Sequence, residues 1–119
     1  MENTITFETA KLAKLKGFNW CSYTYFDFKG DSCYHITSEN TNKSEETIYT
    51  RPTQSLLQKW LRENYDLDIW AKPFMVTGKK QYLGFINFNP NRGDKNHITH
   101  KIYEEALEMA LQTALKIIE

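Results

Sequence analysis

A chain of 119 residues and 14.1 kDa, 40% hydrophobic and 25% charged, has the composition of a folded globule and not of a disordered segment. Surface scaling implies that folding hides about 67% of the extended chain's surface, enough for one modest core and a single domain. Fifteen basic residues offset fifteen acidic ones, which excludes a global field drawing the chain to nucleic acid or an anionic membrane.

Thr6 can cap a helix through ETAKLAKLK that stops at Gly17, with Phe18 placed for the apolar contact of a Schellman ending. Residues 21–28 are rich in aromatic and β-branched side chains. Gly30 and Asp31 then predict a two-residue hairpin loop into CYHIT, which sets Cys33 opposite Phe28. That register separates Cys33 from Cys21 by roughly 23 Å, so both are expected to be free thiols. Residues 38–50, SENTNKSEETIYT, read as a solvated loop; within it Asn42-Lys43-Ser44 matches a glycosylation acceptor by chance.

A second helix follows a cap at Thr50 or Thr53, where Leu56, Leu57, Trp60 and Leu61 fall within an arc of about 140°. Trp60 therefore belongs to the core. After Asn64 the period drops to two, with Leu67, Ile69 and Ala71 on one strand face and Asp66, Asp68, Trp70 and Lys72 on the other. A turn near Gly78-Lys79-Lys80 leads to a partner strand at residues 81–88, and NPNRGDKN breaks the chain. Thr99 is the expected cap of the last helix. Its apolar half holds Tyr103, Ala106, Leu107, Ala110, Leu111, Ala114, Leu115, Ile117 and Ile118, leaving Glu105, Glu108 and Gln112 outside. The row Ala106, Ala110, Ala114 would let that helix approach a sheet closely.

The order α-β-β-α-β-β-α predicts an α+β domain, three helices on a mainly antiparallel sheet of about four strands. No apolar run approaches the ~20 residues of a membrane span, and MENTITFETAK lacks a signal peptide's apolar centre, so the chain reads as cytoplasmic, with no membrane partner.

Three segments, FETAKLAKLKGF, PTQSLLQKWLRE and YEEALEMALQTALKII, resemble small uncharacterised proteins encoded by bacteriophages and prophages. The resemblance covers the two ends and the middle of the chain and implies a phage or prophage origin in a bacterial host. It implies no activity, because the shared motifs are core and capping patterns.

Catalytic constellations are thin. His97 and His100 form an HxxH that straddles a loop and a helix start, where a zinc site needs three or four ligands. Asp66 and Asp68 stand about 6.6 Å apart along a strand, a spacing compatible with paired carboxylates and equally with a solvated strand. Arg92-Gly93-Asp94 reads as a turn. No metal, cofactor or catalytic residue is expected.

Trp70 shares its face with two aspartates and a lysine, charges that a sealed face tolerates poorly. Trp70, Lys72, Asp66 and Asp68 therefore form the leading candidate surface, and the expected function is non-enzymatic: capture of a macromolecular partner, foremost a protein, with a host protein and a second copy of the chain as candidates. Inhibition of host defence is the subclass that the phage resemblance suggests. The alternative is nucleic-acid or anion binding by Arg92, Lys95, His97, His100 and Lys101 around the last helix's positive end, aided by strand aromatics. Lys79 and Lys80 would lie about 25 Å from that group. The order from the second helix to the third resembles a double-stranded-RNA-binding domain. Only two strands are evident between those helices, however, and THKIYEE is acidic where that family is basic.

Overall fold

The computed structural model describes residues 3–40, 42, 48–87 and 95–118, without the side chains of residues 36–39 and 95–99. The elements run α1 (Phe7–Leu15), β1 (Ser22–Phe26), β2 (Ser32–Glu39), β3 (Tyr49–Thr50), α2 (Gln54–Tyr65), β4 (Asp68–Val76), β5 (Lys79–Asn87), β6 (Lys95–His100) and α3 (Tyr103–Ile117). The α+β class and the three helices hold. The strands form two antiparallel three-stranded sheets, β2-β1-β3 and β4-β5-β6, in place of one sheet of about four.

Helix ends follow their local chemistry. Thr6 caps α1, and after it the Phe18 N–H donates to the Ala13 carbonyl and the Gly17 N–H to that of Lys14, the paired bonds of a Schellman ending around Gly17 at φ 91°. Thr53 caps α2 by accepting from the Leu56 N–H. Asp66 ends α2 in the left-handed conformation, φ 56°, and β4 begins only at Asp68. The proposed Asp66–Asp68 strand pair is thereby corrected: Asp66 is a helix C-cap.

Other turns differ as well. Phe26 pairs with Ser32 and Tyr25 with Cys33, so the first hairpin loop is residues 27–31, closed by Asp27 Oδ1 accepting from the N–H groups of Lys29 and Asp31. An aspartate that satisfies two backbone donors outcompetes the tighter turn. Cys33 thus lies opposite Tyr25, about 13 Å along the strand from Cys21, and both thiols are free. In the second hairpin Val76 pairs with Lys79, leaving Thr77 and Gly78, both at positive φ, as a two-residue turn of the I′ kind. Much of the predicted loop at 38–50, with Lys43 and Ser44 of the glycosylation match, lies outside the described residues; β2 continues to Glu39.

Thr99 does not cap α3. It belongs to β6, and Ile102 occupies the cap position with no side-chain bond. Open backbone groups along β5 recruit residues 95–100 into a ladder despite their polar character. This third strand gives the chain from α2 to α3 the order αβββα, removing one of the two differences from the RNA-binding order noted above; the acidic helix start remains.

The core collects residues from all three helices and both sheets, with Ile5, Phe18, Leu57, Leu61, Ile86, Leu111 and Leu115 almost without solvent contact. Trp60 is buried edge-on between Phe18 and Tyr65, as its helical spacing predicts. The alanine row also acts as expected: a Cβ added at Gly84 would stand 2.6 Å from the Ala106 carbonyl oxygen and 3.1 Å from the Ala110 Cβ, so β5 and α3 approach at a glycine–alanine contact.

Three assignments on α3 are reversed. Tyr103 and Ile117, at its ends, are exposed, and Glu108 is buried at 7% exposure. Its carboxylate faces the start of α1, where Oε2 accepts from the Thr6 N–H at 2.9 Å, from the Thr6 hydroxyl at 3.0 Å and from the Thr9 hydroxyl. Oε1 accepts from Gln54 Nε2 at 2.9 Å. One side chain thus ties α1, α2 and α3 together, and the positive end of α1 compensates the buried charge.

Candidate functional site

The type I′ turn at Thr77-Gly78 fixes the register of β4 against β5, and that register builds the candidate surface. Ile69, Ala71 and Pro73 stand opposite Ile86, Gly84 and Tyr82 on the face that α3 covers. On the other face Asp68, Trp70, Lys72 and Phe74 stand opposite Asn87, Phe85, Leu83 and Gln81.

There Trp70 stacks on Phe85 with ring centroids 5.1 Å apart and planes 12° from parallel, while Lys72 Nζ sits 5.0 Å from the Phe85 centroid. Phe85 is 9% exposed, yet it stands outside the contiguous core cluster to which its neighbour Ile86 belongs. The indole and the lysine stem help shield it from the solvent side. Trp70 itself is half-buried and Lys72 exposed, and no carboxylate pairs with Lys72 among the described residues. A flat aromatic area beside an exposed lysine can take an apolar side chain flanked by a carboxylate.

Of the four leading residues the structure brings three together: Trp70, Lys72 and, at the start of the same face, Asp68. Asp66 is separated from them by the helix cap. Phe85 was missed because the turn was set one residue late. With Thr77-Gly78 as a two-residue loop, sequence numbers alone place Phe85 opposite Trp70.

The alternative set is divided. Because β6 runs back along β5, Lys95 pairs with Asn87, His97 with Phe85 and His100 with Tyr82. His100 and Lys101 therefore arrive near the end of the sheet where Lys80 Nζ lies 5.6 Å from the Tyr82 ring, contrary to the expected separation of these basic groups. At the start of α3, His100 Nδ1 lies 2.8 Å from a Glu105 carboxylate oxygen and 2.9 Å from the Lys101 N–H nitrogen, so that helix end already holds side-chain partners. Arg92, with the Arg92-Gly93-Asp94 turn, lies outside the described residues, as do the side chains of Lys95, His97 and Thr99. Among the described residues no group of three or more His, Cys, Asp or Glu side chains is arranged to hold a metal, and no helix is long and apolar enough to cross a membrane.

Comparison of the chain with protein-family models, with curated proteins and with solved structures finds no match.

Proposed function

We propose that this chain is a non-enzymatic binding protein whose partner is another protein, docked on the Trp70 face of the β4-β5-β6 sheet. The observation that supports this most is Phe85, buried outside the main core beneath Trp70 and Lys72, which gives the face an aromatic floor beside an ammonium with no carboxylate partner among the described residues. The partner would offer an apolar side chain next to an Asp or Glu. Several titratable groups have structural work instead of chemical work: Glu108 is consumed by α1 and α2, Asp66 ends a helix, and Glu105 pairs with His100. The likeness to phage-encoded proteins argues for a partner in the bacterial cytoplasm and for a host defence factor as the subclass.

The test is affinity capture from host lysate by the wild-type chain and by Lys72→Glu, with mass and stoichiometry of the captured species. A stoichiometric protein retained by the wild type and lost with Lys72→Glu, at unchanged melting temperature, is the expected result. Capture unaffected by the charge reversal would reject this surface. Nucleic-acid binding, which the approach of His100 and Lys101 to Lys80 and Tyr82 favours as a second reading, predicts instead salt-dependent binding of labelled single- or double-stranded DNA or RNA. Titration at two salt concentrations separates the two, and no binding at low salt removes the second.

A further inference from the structure

An open pocket of about 200 Å³ lies on the helix side of the second sheet, between the starts of α2 and α3. Gln54 builds its frame: its backbone N–H donates to the Asn3 carbonyl at 2.8 Å and its Nε2 to the Glu104 carbonyl at 2.8 Å, so three separate segments are held in one geometry. Glu104, Gln58 and Asn3 line the pocket as well, and their side chains carry a carboxylate and two amide carbonyls. None of these three acceptors has a donor among the described residues; Gln58 spends only its amide N–H, on the Ile69 carbonyl. Tyr103 supplies an aromatic wall and Leu107 an apolar one.

Three oxygen acceptors, one of them charged, call for a cation with several divergent N–H donors. A tyrosine ring and a leucine suit a planar, weakly hydrated cation better than a compact ammonium. We infer that this pocket binds a guanidinium group, held by the Glu104 carboxylate and the Gln58 and Asn3 carbonyls against the Tyr103 ring. The site is independent of the Trp70 face, on the opposite side of the sheet.

The experiment is a titration of the full ¹⁵N-labelled chain with N-methylguanidinium, methylammonium and acetate at constant ionic strength, read from backbone amide shifts. Saturable shifts at Gln58, Tyr103 and Glu104 are expected with methylguanidinium, with Kd on the order of millimolar for so small a probe. Glu104→Gln, which keeps the backbone carbonyl that Gln54 uses, should weaken binding at least tenfold. Tighter binding of a capped Gly-Arg-Gly peptide would assign the group to a protein arginine, and equal binding to a small guanidinium compound. No saturation by ~50 mM methylguanidinium would overturn the inference. So would a response that Glu104→Gln leaves intact, an equal response to methylammonium, or binding of acetate alone at the positive end of α2.

Discussion

Replacing Glu108 by alanine removes an acceptor that serves four donors at once: the Thr6 N–H, the Thr6 and Thr9 hydroxyls, and Gln54 Nε2. Hydrogen bonds to a charged group contribute roughly 1.5–3 kcal/mol each, but they are not additive here, because Gln54 keeps the Glu104 carbonyl and the Thr9 hydroxyl, 3.1 Å from that of Thr6, can turn to it. The Thr6 N–H is left without its acceptor, and the Cγ methylene loses its packing. A net loss of about 3–4 kcal/mol follows, a large part of the roughly 6–15 kcal/mol expected for a domain of this size. At about 4 °C per kcal/mol the melting temperature should fall by some 12–16 °C. Urea unfolding followed by tryptophan fluorescence, with Trp60 as the buried reporter, measures the loss directly. Adding Thr9→Val to the alanine variant should then cost clearly less than Thr9→Val alone, since its partner is already gone. A loss below about 1 kcal/mol, or strict additivity of the pair, would refute the view that this carboxylate joins the three helices.

Gly84→Ala should cost about 1–3 kcal/mol, because the added methyl meets the helix backbone at Ala106, which cannot rotate away; equal stability by urea unfolding would mean that α3 sits farther from β5. Trp60→Ala should lose about 3–5 kcal/mol, whereas Trp70→Ala loses only the cross-strand stack on Phe85, about 1–2 kcal/mol; a reversed order would exchange their roles. Asp66→Gly relieves a left-handed non-glycine residue and should raise stability by about 0.5–1 kcal/mol, and a drop in melting temperature would argue that the aspartate does more than end the helix.

The helices were legible because their signals are local. Thr6, Gly17 with Phe18, and Thr53 each carry a cap in their own chemistry, and the leucine and alanine rows of α3 name the side that meets β5. The second sheet was half legible. Alternation from Asp68 to Lys72 gives two correct faces, but β6 has no such pattern: KNHITH becomes a strand through the backbone groups that β5 offers, a tertiary cause that periodicity cannot register. Glu108 was misplaced for a related reason. A carboxylate on a helix reads as solvent-facing until another helix brings unpaired N–H and hydroxyl donors to it, and those donors lie about a hundred positions away, at Thr6 and Thr9. Within the candidate surface Trp70 and Lys72 stood out by their charged neighbours. Their floor, Phe85, depended on setting one turn correctly.

The central claim is that α3 closes one face of the β4-β5-β6 sheet and leaves Trp70 on the other. Labelling the chain with 5-fluorotryptophan, assigning each ¹⁹F resonance by single Trp→Phe replacement and comparing H₂O with D₂O tests it most directly. The account predicts a clear solvent isotope shift for Trp70 and almost none for Trp60. A Trp70 resonance as insensitive as that of Trp60 would contradict it.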